Sequence, residues 1–388
     1  MSPAITFSIA WEAGPSAQIE VFSPGAETGA DAYRLKYTPP FRATIRPPLK
    51  DLTLGPGELN PVKDRLNSLV VTVDARSGTP TPPGAGRDAV LEQTKRVGGQ
   101  LLDLVVPSDV QAELRTPGLF LEMGADEALV EFPWELLHDG EEFLCLKHYV
   151  GRFVNVTNPT IPPRQHPQLL APDALSVLLI SVPKPQPRGA IVYERLPGAE
   201  AETQAILDTL MPLGAKVVLL RSAEATYDNV YSAIKSGRYH IVHFNGHAYF
   251  NSDRPFLSSL VLFDQDMTTG PIVSFFGSKP PVFFFLNACE TAAAKASVDW
   301  KNRYDIFGLA RAFLETGAYL IGSRWKVGDA GAGMFAKIFY SELVVGRPLG
   351  RAILAARVAC RGATNADDLS WASYLFYGDP RLYFCKSE

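Results

Sequence analysis

The sequence predicts an α/β protein: a mostly parallel sheet flanked by helices, with a small β-rich region ahead of it. Three observations lead there. From about residue 173, strand-like and helical segments alternate. The runs VLLISV, VVLL and VFFFL are apolar without alternation, as strands buried on both faces must be. Residues 1 to about 85 lack this rhythm and carry β-forming runs between Gly-, Pro- and Ser-rich turns.

The elements follow in order. ITFSIAWEA, AQIEVFS, AYRLKYT and, from Ser68, SLVVTVDA read as strands. SGTPTPPGAGR (77–87) is a connector rich in Pro and Gly. AVLEQTKRVGGQLLDLVV reads as a helix, and GLFLEMG, ALVEFPWELLHD and EEFLCLKHYVGRFVN follow it. TNPTIPPRQHPQLLAP (157–172) is a proline-rich linker or long surface loop. ALSVLLISV is a strand, Ala199 to Met211 has helical spacing, AKVVLLR is a strand, and ATYDNVYSAIKSG is a helix closed by Gly237. RYHIVHFNGH and PVFFFLNAC are strands, and between them SSLVLFD and PIVSFF suggest an inserted hairpin. YDIFGLARAFLETG is a helix, AYLIGSRW a strand, and GMFAKIFYSELVVG and LGRAILAARVACRG are helices. WASYLFYGDPRLYF closes the chain.

Hydrophobic residues make up 46% and charged ones 20%, a globular rather than a disordered composition. The 388 residues suggest two or three domains of roughly 100–200 residues each. A net charge of −4 argues against a general nucleic-acid or anionic-membrane binder, since those partners select basic patches. No run reaches the ~18 apolar residues of a membrane span. MSPAITFSIAWEAG has no basic flank before its apolar part, so no signal peptide is expected. Cys145, Cys289, Cys360 and Cys385 are scattered without a CxxC pair, which fits a reducing cytoplasm and no structural zinc. There is no phosphate loop, no HExxH and no carboxylate cluster, so neither cofactor nor metal is expected.

In open α/β sheets, function gathers at the carboxyl ends of strands. Two strands end there with reactive groups: RYHIVHFNGH at His247 and PVFFFLNAC at Cys289. A thiol becomes a thiolate near neutral pH with help from a base, and imidazole is the usual one. Either residue alone has a bland explanation, since a cysteine after a strand is commonly a small buried hydrophobe. Occurring together at adjacent candidate strand ends, they suggest a Cys–His hydrolase. Gly246 is expected to give a tight turn and room for a substrate backbone. His243 is expected to be a hydrogen-bonded structural residue, Asp305 a helix cap, and Cys145, Cys360 and Cys385 inert. Trp134 and Glu135 are expected to be structural.

These residues resemble a known family. HIVHFNGH followed by FLNACET is similar to the CHAT domain, a caspase- and separase-like cysteine peptidase group of clan CD. PWELLHDGEEFLCLKHYVGR resembles the opening of that domain and LPGAEAETQAI its first helix. FGLARAFLETGAYLIGSRWKVGD, FYSELVVGRPLGRAILAAR and WASYLFYGDP resemble its C-terminal half. The resemblance covers roughly residues 90 to 388. It implies a caspase-like sheet and three regions. Residues 1–87 would be a β-rich accessory or regulatory part, 88–172 a degenerate first part of the CHAT domain plus linker, and 173–388 the catalytic part.

The resemblance also implies roles. Cys289 would attack the scissile carbonyl, and His247 would promote thiolate formation or protonate the leaving amine. In this clan the two need not be tightly hydrogen-bonded in the free enzyme. Backbone N–H groups of Cys289 and Ala248 would hold the oxyanion. The family usually has Gly where Ala248 stands, so a positive φ there would be strained. The family's WPVDD-like segment reads WKVGD, retaining Trp325 and Asp329. A carboxylate at Asp329 would select a basic side chain before the scissile bond; otherwise it suits a helix N-cap. Glu290 is a candidate substrate contact, and with Thr291 would shape the nucleophile's loop.

The expected function is a cytoplasmic endopeptidase acting on a specific protein substrate, a pore-forming or other effector encoded nearby, in a bacterial defence or cell-death pathway. An activating protein partner would dock on the N-terminal region. No direct nucleic-acid or membrane partner is expected. One alternative is a non-catalytic caspase-like scaffold, which would have no need of both Cys289 and His247. Another is a small-molecule hydrolase or acyltransferase, which would show a closed pocket rather than an open groove.

Overall fold

The computed structural model describes residues 16–22, 34–38, 50–51, 60–69, 87–106, 108–126, 130, 132–155, 171–236, 238–249, 257–276, 280–290, 310, 313–314, 316–325, 327–364 and 368–384. The strands are β1 (Ser16–Phe22), β2 (Arg34–Thr38), β3 (Lys50–Asp51), β4 (Phe120–Asp126), β5 (Tyr149–Asn155), β6 (Ser176–Ser181) and β7 (Lys216–Arg221). They continue with β8 (Ile241–Tyr249), β9 (Ser259–Val261), β10 (Asp266–Thr268), β11 (Phe283–Glu290), β12 (Tyr319–Ser323) and β13 (Tyr374–Tyr377). The helices are α1 (60–69), α2 (Arg87–Val105), α3 (Ser108–Leu114), α4 (Pro197–Leu210) and α5 (Tyr227–Ser236). They end with α6 (Thr269–Phe276), α7 (Asp329–Val344), α8 (Leu349–Ala363) and the short α9 (Ser370–Ser373).

All the strands join one sheet in the order β10-β9-β8-β11-β12-β13-β5-β4-β1-β2-β3, and the first half of β8 pairs on its other side with β6, which carries β7. The long central pairings β7–β6–β8–β11–β12 are parallel, as are β13–β5–β4–β1. The β-rich first region is therefore continuous with the main sheet, since β1 runs parallel to β4 while β2 and β3 fold back antiparallel.

The run VFFFL has no polar position because both faces of β11 are covered. Phe283 and Phe285 face α7, where Phe335, Phe339 and Tyr340 recur at helical spacing. Phe284 and Leu286 face the other layer, and the Phe284 ring meets Phe313 edge-on at 4.4 Å. Helices α4, α7 and α8 pack on the first face; α5, α6 and the helical residues around Phe313 pack on the second.

Several expectations need correction. Ser68 and Leu69 end a helix rather than begin a strand: Val62, Leu66 and Leu69 form its buried stripe, and residues 70–75 lie outside the described residues. The hairpin forms from β9 and β10, whereas PIVSFF belongs to α6. There Phe275 packs against Tyr227 and Tyr231 of α5, which a helix on the sheet's face can reach. ITFSIAWEA, both proline-rich connectors except their last residues, Thr291, Asp305 and Cys385 lie outside the described residues.

Candidate active site

Strands β8 and β11 are parallel neighbours over eight paired positions, and the ladder sets Cys289 opposite His247. Strand side chains alternate faces, so positions 285, 287 and 289 share a face with 243, 245 and 247. That is the face of α4 and α7. Position 290 falls on the other face, paired with Ala248. Positions 247 and 289 both lie near the carboxyl ends of their strands, the end where parallel sheets present functional groups.

His247 is nearly buried, at 6% exposure. Its Nε2 lies 2.8 Å from the carbonyl oxygen of Glu194. A carbonyl only accepts, so Nε2 carries the hydrogen and the neutral ring keeps its lone pair on Nδ1. Burial lowers the imidazole pKa, opposed by the Glu194 carbonyl and by that residue's charge. The ring is thus biased toward the proton-accepting form near neutral pH. Tyr193 leans over it, with ring centroids 5.5 Å apart. Arg188 stacks on Tyr193 at 5.4 Å, donates to the Leu262 carbonyl at 2.6 Å and pairs with Asp266. The segment leading into α4 is thereby fastened to the β9–β10 hairpin.

Gly246 makes no turn, because β8 continues through it to Tyr249. A Cβ there would press on the Phe244 ring at 2.9 Å, so the glycine serves packing beside β6. Ala248 is extended and fully buried, and among the described residues only Ser222 has positive φ without being glycine. The expected strain at Ala248 is therefore absent. On the β12 side, the Ser323 hydroxyl donates to the carbonyl of Ala288 at 3.2 Å, fixing the peptide ahead of position 289.

Asp329 is the first residue of α7, exposed, with Gly328 rather than Asp329 as the N-cap. Its carboxylate rests against Gly198 in the first turn of α4, where a Cβ would collide with Oδ1 and Cγ. A carboxylate between two helix N-termini is electrostatically favoured. Trp325 and Val327, between β12 and α7, are buried.

His243 is fully buried and hydrogen-bonded, with Nδ1 3.0 Å from the Tyr340 hydroxyl. Glu135 is buried against Arg152 and receives its Nε at 2.9 Å. Cys145 donates to the Glu135 carbonyl at 3.1 Å. Burial pushes the Cys145 thiol up to about 12 and that of Cys360 to about 12 as well, so both are inert.

Two features had no reading in the sequence. The Glu194 carbonyl orients His247, but a backbone atom leaves no residue-type signature. The buried carboxylate of Glu202 accepts from Asn287 Nδ2 at 2.8 Å across 85 residues of chain, with no local pattern to announce it. Among the described residues, no group of three or more His, Cys, Asp and Glu side chains could hold a metal ion. Among those residues, too, no helix is long and apolar enough to cross a membrane.

The sheet is mostly parallel and helices cover both of its faces, the α/β architecture that the sequence leads one to expect. The chain matches the CHAT domain over residues 95–379, and it belongs to that family. The separase of the Saccharomyces cerevisiae separase–securin complex shares the fold, with TM-score 0.54 and 11% identity, over 94% of this chain and 30% of that one. The Arg-specific cysteine proteinase gingipain R (RgpB) of Porphyromonas gingivalis aligns with TM-score 0.46 and 12% identity, over 84% of this chain and 76% of that one. The Drosophila initiator caspase Dronc aligns with TM-score 0.33 and 10% identity, over 60% of this chain and 98% of that one. No curated protein sequence matches the chain at a significant level.

Proposed function

We propose that this CHAT-family chain is a cysteine endopeptidase working through His247 and Cys289. The single observation that carries the reading is the β8–β11 register, which pairs the two positions on one face at the carboxyl rim. Nδ1 of His247 would take the thiol proton as Cys289 Sγ attacks the scissile carbonyl carbon. Backbone N–H groups of Cys289 and Ala248 would hold the resulting oxyanion. Collapse would expel the amine, which takes the proton from Nδ1, and leave a thioester. Water, giving its proton to Nδ1, would then release the carboxylic acid and restore the thiol.

Asp329, exposed at the same rim on the same sheet face, would receive a basic side chain before the scissile bond. The substrate would be a specific protein, an effector such as a pore-former encoded nearby, in bacterial defence or cell death in the cytoplasm. An activating partner would engage the N-terminal region. That reading is supported by the 3.4 Å bond from Arg324 to Asn67 of α1, which links the region to the residue after β12.

The test is labelling with an acyloxymethyl ketone peptide ending in Arg. Wild type should be labelled at Cys289 and Cys289→Ala should not; labelling that persists in Cys289→Ala ends the reading. Asp329→Ala should slow arginyl-peptide cleavage about tenfold or more, as expected for a lost charge-assisted pair. An unchanged rate removes the pocket assignment alone. Comparing protein N-termini in cells carrying wild type or Cys289→Ala would identify the substrate.

A further inference from the structure

Beneath the rim lies a polar cluster inside a phenylalanine-rich layer. Glu202 of α4 is 1% exposed and His243 fully buried. Glu202 Oε2 accepts from Asn287 Nδ2 at 2.8 Å, and Oε1 stands 3.1 Å from His243 Nε2. That second contact is off the hydrogen-bond line, so neither Oε1 nor Nε2 is geometrically satisfied. His243 stacks on Phe285 at 4.5 Å and meets the Tyr340 hydroxyl at 3.0 Å through Nδ1. Burial and the Glu202 charge push the Tyr340 phenol well up, so it stays neutral and donates. The Tyr374 hydroxyl donates to Asn287 Oδ1 at 3.4 Å.

As a source of stability this cluster is poor. Burying a carboxylate and an imidazole costs more than filling the same space with hydrocarbon, and unsatisfied atoms add to that cost. What it supplies is direction. Asn287 precedes position 289 by two residues on the same face, and His243 precedes His247 by four. Helix α4 is also pinned where Thr203 donates to Ser181 at 2.8 Å and Asn245 to the Ala199 carbonyl at 3.2 Å. The lead-in to that helix carries the Glu194 carbonyl that orients His247.

We infer that Glu202 is a positioning residue: one buried carboxylate ties the strand of Cys289, through Asn287, to the helix whose lead-in aims the imidazole, and it stands 3.1 Å from His243 on the strand of His247. The inference rests on the peptidase reading. Reaction geometry is unforgiving, since about 1 Å of misplacement can cost on the order of 100-fold in rate. An apolar residue at 202 would fill the space without tying the strand of Cys289 to α4.

The test measures alkylation of Cys289 by iodoacetamide, site by site, by peptide mass spectrometry; it needs no substrate. Glu202→Gln and Asn287→Ala should each slow it about tenfold or more while circular dichroism and thermal unfolding report folded protein. Tyr340→Phe, which touches His243 but not Asn287, should stay within about threefold. In a His247→Ala background, Glu202→Gln should add little, because the two act through one arrangement. The inference is overturned if folded Glu202→Gln and Asn287→Ala both react at the wild-type rate. It is also overturned if Glu202→Gln slows the His247→Ala protein as much as wild type, which marks general loosening. If Glu202→Gln does not fold, Asn287→Ala decides alone. If neither folds, the cluster is a folding element and the positioning role fails. Wild-type alkylation in His247→Ala would instead sink the dyad, whatever Glu202→Gln does.

Discussion

Two of the chain's His–Cys neighbourhoods are opposites. Cys145 and His148 are three residues apart, yet both sit at the amino end of β5, which starts at Tyr149. His148 is fully buried with both ring nitrogens engaged: Nδ1 accepts the Leu119 N–H at 3.3 Å, and Nε2 lies 2.8 Å from the Leu114 carbonyl. Burial draws its pKa down from 6.5 to about 4. His247 and Cys289 are far apart in sequence but meet in register near the carboxyl ends of β8 and β11. There one imidazole nitrogen is tied to a carbonyl, which leaves the lone pair of the neutral ring on the other. Residue type alone does not make a reactive pair. The end of the strand, and a ring nitrogen with no hydrogen-bond partner among the described residues, separate the second neighbourhood from the first.

The sharpest way to break this contrast is to remove each imidazole. His247→Ala should slow Cys289 alkylation about 100-fold or more, within the range of a lost general base, with little change in thermal unfolding. His148→Leu should do the reverse. It strands the Leu119 N–H and the Leu114 carbonyl in the core, costing about 2–4 kcal/mol of stability by denaturant unfolding. Its folded fraction should alkylate at the wild-type rate. If His148→Leu abolished alkylation while folded, the two regions would be coupled in a way the geometry does not express.

Acid supplies a smaller effect with a fixed sign. Burial lowers the pKa of both histidines, so on acidification the unfolded chain takes up protons first. Their contribution to stability is therefore complete above about pH 6.5 and is lost as pH falls through the window below it. For His148 the window runs from 6.5 to about 4, with a slope of at most about 1.4 kcal/mol per pH unit. Unfolding free energies at several pH values, for wild type and His148→Leu, isolate that slope from the carboxylates. The variant should be less stable everywhere and less sensitive to acid. Equal slopes would mean that His148 takes up its proton at the same pH in the folded and the unfolded chain.

What was legible in the sequence follows the same logic. VFFFL reads as a strand buried on both faces and lies in β11, whereas β8 and β11 run on past His247 and Cys289, to Tyr249 and Glu290. Helix α1 was missed although Val62, Leu66 and Leu69 show its spacing, because VVTV just beyond them favours a strand by residue type. The hairpin was misassigned because Asp266–Thr268 is a short strand without an apolar period. Gly246 was assigned a turn on residue type, whereas its lack of a Cβ answers a close approach to Phe244. Glu202 and Glu194 were illegible for different reasons. One acts across three elements distant in sequence, and the other acts through a backbone atom that any residue would present.

The smallest effect belongs to the first neighbourhood's own thiol. Cys145 is 1% exposed, and its sulfur donates to the Glu135 carbonyl. With the thiol pushed up to about 12, only on the order of one molecule in 10⁴ is thiolate at pH 8. Iodoacetamide should therefore leave Cys145 untouched in the folded protein and modify it only after denaturation. Cys145→Ala removes one buried sulfur and a weak hydrogen bond, which should cost about 1 kcal/mol and leave Cys289 chemistry unchanged. Alkylation of Cys145 under native conditions, at a rate approaching that of Cys289, would erase the distinction between strand ends on which the contrast stands.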